Sequence, residues 1–351
     1  MRNKIKLLLS ISVLSFFTSA TVAAQKTPFR RDFVKDIELI SSISSPWRNF
    51  HPEILHFAFG SNSSQDVFYY KFKKEDFDRV GVVANQELNS PDWFFGKLKD
   101  LPDVPNGIYA PQVQKPAGNS LEQLASAIRM SFIYLWAEPS LPGVSFTHEE
   151  IARIALHESF HMQYQFGGGF KNPSVNFDRT YLDKCALNKQ WLRSITSEFS
   201  DEQSILAQWD SISDLDLKSK VLTIIKRRHA DDSNVDQKFC WDATRYWERI
   251  EGTAYFVESI GAQRAGFITE PQLNIELAKY LLKTSSSVSA GTPPSQTGVK
   301  DLINPGFFYG TGALYSRVVS RLQPGSRYES LIENGLSPEE SADDLLQTLQ
   351  K

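Results

Sequence analysis

One stretch near the middle of the chain constrains the fold more than any other. Thr147-His148-Glu149-Glu150 has the form of a capping box, a threonine N-cap with a glutamate three residues later. Ile151, Ile154, Ala155 and Phe160 follow among polar residues, so the helix they predict is at least partly buried. Gly167-Gly168-Gly169 then stops it, which sets a helix from Thr147 to about Phe166. On this helix stand His157, Glu158 and His161.

Residues four apart lie on one helix face, so both imidazoles point the same way from adjacent turns. Two neutral ring nitrogens so placed can reach one metal ion at about 2.0–2.1 Å. Glu158 projects beside such an ion, where a carboxylate can take a proton from an attacking water. Burying two histidines and a glutamate without a partner is costly. A single Zn2+ per chain gives the cluster a reason.

Two histidines do not complete a catalytic zinc site, which takes three protein ligands. Phe166 to Phe170 contains no third histidine, so the third ligand comes from elsewhere. The best candidate segment is Trp247 to Glu258, where Glu251, Ala254, Tyr255 and Glu258 fall on one helix face. Small Gly252 and Ala254 are expected to let this helix pack on the histidine helix and bring in Glu251. Glu248 and Glu258 compete for the ligand role. If Glu251 holds it, Glu258 is expected to hold a ligand histidine or a substrate amine.

His157-Glu158-Ser159-Phe160-His161-Met162-Gln163-Tyr164-Gln165, followed by Glu251-Gly252-Thr253-Ala254-Tyr255-Phe256-Val257-Glu258, resembles the gluzincin zinc metallopeptidases. The likeness is to a bacterial branch with HExxHxxQ and a later EGxAxYxE, and it covers about residues 120–322. The resemblance implies His157, His161 and Glu251 as zinc ligands and Glu158 as general base. It also implies a two-helix zinc site beneath a sheet whose edge strand holds an extended peptide. Two departures stand out. The 90 positions from His161 to Glu251 exceed the gap in thermolysin-like enzymes, and Tyr255 stands where several gluzincins carry an acidic residue.

Acyl transfer also needs a donor for the carbonyl oxygen, opposite the base. Tyr309, in the glycine-loosened run Pro305 to Gly312, is the first candidate, with Tyr255 and His229 as others. The expected activity is therefore hydrolysis of peptide bonds in a peptide or protein substrate. Glu248 and Glu258 would suit a free amino terminus. The competing reading is a non-catalytic secreted binding or adhesion protein on the same scaffold. Amide or ester hydrolysis of another substrate would use the same residues. The chain has no Gly-x-Ser-x-Gly elbow, no Walker-type loop and no GxGxxG.

Arg2, Lys4 and Lys6 precede an apolar run from Leu7 to Val22, and Val22-Ala23-Ala24 offers small residues for cleavage. This start predicts a secretory signal peptide over residues 1–24, hence an exported, periplasmic or secreted protein with no membrane span after cleavage. Removing its three basic residues leaves 35 against 41 acidic ones, a mature formal charge of −6. Such a chain has no electrostatic footprint for nucleic acid. The one basic cluster, Lys226-Arg227-Arg228-His229, is expected to face the negative end of a helix dipole. Cys185 and Cys240 are the two cysteines, and export favours a disulfide between them, with separate buried thiols as the other possibility.

The expected class is α+β: a β-rich region over 25–118, then a helical zinc-binding part over 119–351 with a helical insertion at about 178–235. Strands are expected at Ile54–Phe59, Val67–Phe72 and Val80–Ala84. The aromatics Phe68, Tyr69, Tyr70 and Phe72 read as sheet core rather than a sugar platform. Helices are expected from Ser120 to about Pro139, then at about 178–199, 201–229 and 236–264. A loop over 285–305, a helix from Gly312 to Leu322 and a short one after Ser337 complete the reading.

Overall fold

The computed structural model describes residues 29–52, 56–61, 66–86, 92–97, 108–109, 120–128, 133–136, 147–171, 177, 184–185, 187–289, 306–325 and 327–348. The expected signal segment lies outside them. The described residues are mainly helical with one mixed sheet, and the chain divides into two compact units. The first comprises residues 1–41 and 53–155, the second 42–52 and 156–351. No described helix is long and apolar enough to cross a membrane.

The first unit is built on six strands: β1 (Phe57–Ser61), β2 (Asp66–Tyr70), β3 (Ala84–Gln86), β4 (Trp93–Lys97), β5 (Ile108–Tyr109) and β6 (Ile133–Trp136). Their order is β3-β4-β2-β1-β6-β5, and only β1 and β6 run parallel. Alternation along β2 sends Val67 and Tyr69 to one face and Tyr70 to the other. On the first face, Ala58, Val67, Tyr69 and Phe94 pack with Phe77 of α2 (Lys74–Val80) and with Leu121 and Leu124 of α3 (Ser120–Ile128). On the other face, α1 (Phe29–Ser42) is tied by a Ser41–Tyr70 hydroxyl pair at 2.6 Å. The Trp93 indole also donates to Glu38 at 3.2 Å. Tyr69, Tyr70 and Phe72 are all buried, as a sheet core requires.

Two expectations for this unit need correction. Val80–Ala84 is not one strand, and only Ala84 belongs to one, as the first residue of β3. Val80 ends α2, and Gly81 turns the chain with φ +68°, a conformation glycine adopts without strain. The helix beginning at Ser120 stops at Ile128, and Ile133–Trp136 forms β6 beside β1, so the β-branched and aromatic content outweighed the apolar spacing. The division into compact units falls at 155/156, inside α4 (His148–Ser159).

The second unit carries the π-helical turn π1 (Phe160–Gly169), then α5 (Lys189–Ala207), α6 (Asp214–Asp231) and α7 (Val235–Trp247). A second π turn, π2 (Glu248–Gly252), leads into α8 (Thr253–Arg264), α9 (Glu270–Ser289), α10 (Gly306–Leu322), α11 (Arg327–Glu333) and α12 (Pro338–Thr348). The helix starts follow side-chain caps: Asn188 for α5, Ser213 for α6 and Asn234 for α7 each accept from backbone N–H groups of the first turn. The break expected at 200 is therefore displaced to 208–213. The helix expected from Gly312 starts at Gly306, and α9 continues to Ser289, so residues 285–289 are helical and the rest of the expected loop lies outside the described residues. From Gly310 to Val319 every residue of α10 is buried, which makes this helix the spine of the unit. Cys185 and Cys240 form a disulfide with Cα atoms 5.5 Å apart.

Candidate metal centre

Thr147 and Glu150 form the capping box in full: Glu150 N–H donates to the Thr147 hydroxyl at 3.1 Å, and Thr147 N–H to the Glu150 carboxylate at 2.7 Å. The helix so started winds as α through Ser159 and then as π from Phe160, until Gly168 leaves the helical region at φ 111°. A π turn holds one more residue than an α turn and re-aims the side chains it carries. His157 and Glu158 stand in the last α turn and His161 in the first π turn. The second wide turn, π2, carries Glu251.

The structure brings His157, His161 and Glu251 together as a buried group that can hold a metal ion. The Nε2 atoms of the two histidines lie 3.0 Å apart. Glu251 Oε2 is 3.2 Å from His161 Nε2 and 3.5 Å from His157 Nε2. Ligands at 2.0–2.1 Å from a tetrahedral ion are separated by about 3.3 Å, so the three atoms already have the spacing of a ligand set.

The far side of each imidazole fixes its proton. His157 Nδ1 lies 3.1 Å from Glu258 Oε2, which can only accept from it. His161 Nδ1 lies 2.5 Å from Gln165 Oε1. The Gln165 amide is itself oriented, because its Nε2 donates to Ile250 O at 3.0 Å and to the Thr253 hydroxyl at 2.7 Å. Both rings therefore carry their proton on Nδ1, and both Nε2 lone pairs face the Glu251 carboxylate. Three lone pairs cannot share one small space without something positive between them. A single proton bridges only one of these contacts, and Glu251 Oε1 is left buried with no hydrogen-bond partner. A divalent cation satisfies all three at once.

The ionisation of the group follows from the same contacts. With no ion bound, burial disfavours the charged His157 ring, but the Glu251 and Glu258 carboxylates outweigh it and raise its pKa to about 10, so Nε2 then takes up the proton that a cation would displace. Burial likewise opposes charge on Glu251, yet the two imidazoles hold its carboxyl well below the usual range. Glu158, only 4% exposed, is pushed up by burial, with the imidazoles acting against the shift and Glu251 and Glu258 adding to it.

The remaining candidates separate clearly. Tyr309 lies beside the group, its ring 5.5 Å from that of His157 and 5.7 Å from that of Tyr255. Tyr255 is buried against it. His229 points elsewhere, to Glu339 at 3.5 Å and Asp343 at 3.9 Å. Glu248 is not a ligand: its carboxylate is taken by Arg228 and by the Thr311 hydroxyl. Glu258 faces His157 through Oε2. Arg228 does not merely face a helix dipole, since it is 1% exposed and paired with Glu198, Glu248 and Glu339.

Gly252 does not pack on the histidine helix as expected. A β-carbon there would meet Gly312 of α10, while close packing of α8 on the histidine helix falls at Gly261, against the Leu156 side chain. Sequence reasoning assigned no role to Gln165, although it stands one turn after His161. It lies four residues on, one position past the glutamine of the HExxHxxQ pattern. Phe166, half exposed, stacks on the His161 ring at 5.8 Å. Comparison with protein-family models, curated proteins and solved structures returns no match.

Proposed function

We propose that this chain is an exported zinc-dependent peptidase of the gluzincin kind, in which His157, His161 and Glu251 hold the ion and Glu158 is the general base. The observation that carries the reading is the convergence of two Nδ1-protonated imidazoles and a buried carboxylate, with their lone pairs 3.0–3.5 Å apart. A zinc ion held there supplies Lewis acidity for a scissile carbonyl and lowers the pKa of water towards 7. Glu158 takes a proton from the attacking water and hands it to the leaving amine. Its raised proton affinity, caused by burial, suits a group that must carry that proton between two steps. Tyr309, set against His157, donates a hydrogen bond to the carbonyl oxygen as charge develops on it.

Export is supported by the signal-like start of the chain and fits the buried Cys185–Cys240 disulfide. The discriminating variant is Glu158→Gln in the full chain, measured for zinc content and for digestion of a mixed peptide library. Retained zinc with loss of peptide cleavage is the expected result. Undiminished cleavage by the variant removes the mechanism. Zinc binding by wild-type protein that cleaves no peptide, amide or ester favours the non-catalytic binding protein.

A further inference from the structure

We propose that Arg228, in the last turn of α6, is a positioning residue for the metal group, acting on Glu251 through Glu248. The proposal rests on the metal reading above and gives the helical segment between the two halves of the site a task.

Glu251 cannot fix itself. Among the described residues its polar partners are the two imidazoles, and its second oxygen has no hydrogen-bond partner. Its place is therefore inherited from the main chain of π2. That turn is gripped at two points. At Gly252 it lies backbone to backbone on Gly312. At Glu248, its first residue, both carboxylate oxygens are held. Arg228 forks across them from Nη1 at 3.0 Å and Nη2 at 2.7 Å, and the Thr311 hydroxyl adds a third bond at 2.7 Å.

Arg228 is equally fixed. Its Nε and Nη2 donate to Glu198, Nη1 reaches Glu339 at 3.2 Å, and the guanidinium lies over the rings of Trp241 and Tyr315. Glu248 is fully buried and Arg228 nearly so. Buried ion pairs add little net stability compared with apolar packing, so stability is a poor reason for such a set. A planar guanidinium that engages three carboxylates is suited to fixing a position.

The test uses full-length protein stripped of metal. Zinc affinity is measured by chelator competition, and the visible spectrum of the Co2+-loaded protein reports ligand geometry. Arg228→Lys keeps the charge and loses the fork. It should weaken zinc binding about 10–100-fold, the usual cost of removing a partner behind a ligand, and should shift the cobalt bands. The control is Arg321→Lys, which loosens the end of α10 from Asp214 and from the Trp209 and Ile212 carbonyls and leaves the Arg228–Glu248 contact in place. It should lower thermal stability while leaving affinity and spectrum unchanged.

Arg228→Lys with wild-type affinity and spectrum, or equal weakening by both variants, overturns the proposal. Should Arg228→Lys fail to fold, Thr311→Val reads the same contact, with about threefold or greater weakening expected. An unchanged affinity and spectrum there would overturn the proposal as well. Wild-type protein that takes up neither zinc nor cobalt removes the metal reading itself, and this inference with it.

Discussion

Gly252 and Gly312 cross with no side chain between them: a β-carbon on Gly252 would lie 2.6 Å from the Gly312 Cα, and one on Gly312 would lie 2.8 Å from the Glu248 carbonyl oxygen. The obstacles are backbone atoms, which cannot swing aside. Gly252→Ala or Gly312→Ala should therefore push π2 away from α10, and Glu251 with it. We expect a loss of about 1–3 kcal/mol in unfolding free energy of the metal-free protein, and weakened zinc binding. Denaturant unfolding and chelator competition check the two effects separately.

Gln165 supplies the acceptor that fixes the His161 tautomer, while Ile250 and Thr253 orient its amide. Gln165→Ala should leave His161 free to change tautomer and ring angle. The expected cost is about 10–100-fold in zinc affinity. The reading fails if isothermal titration finds the variant binding zinc as wild type does.

A pH effect follows from Glu202, fully buried in α5. Burial pushes its carboxyl well above the usual range. Neighbouring Glu198 adds to the shift, Arg228 opposes it and Glu248 adds again. A raised folded pKa means the native state keeps a proton that the unfolded chain gives up near pH 4.3. Stability from this group is thus greatest below that pH and declines as pH rises towards the folded value, by about 1.4 kcal/mol per unit. Glu202→Gln removes the titration. It should raise the melting temperature at pH 7 by about 2 °C or more, with the gain vanishing near pH 4. A variant no more stable than wild type at pH 7 would contradict this.

The disulfide closes a sequence separation of 55 residues and anchors α7, which runs directly into π2. Replacing both cysteines by serine should cost about 2–4 kcal/mol. Thermal unfolding of the variant, and of wild type with and without reductant, measures it.

How much of this was readable beforehand depends on how local the determinant is. Thr147, Glu150, His157 and His161 lie within one helical stretch, so capping chemistry and i,i+4 spacing were enough to place them. Helix period puts Glu258 on the face of Glu251 and leaves it a ligand histidine or a substrate amine to hold; only the folded chain shows that its partner is His157. Gly81 shows a different limit: β-branched residues surround it, but a left-handed turn there decides the local structure. Strand β6 was hidden because its partner β1 lies more than 70 positions earlier, and apolar spacing cannot report a distant edge. The same blindness concealed Arg228, whose three carboxylate partners come from α5, π2 and α12. The sequence shows Gly252 to be small, but only the folded chain reveals that its close neighbour is α10.

Metal content tests the central claim most directly. Full-length protein equilibrated with zinc and freed of loose ions should carry about one zinc per chain, as should Glu158→Gln, while His161→Ala and Glu251→Ala carry almost none. Wild-type protein that remains metal-free under these conditions, or retention of zinc by both ligand variants, would contradict the account.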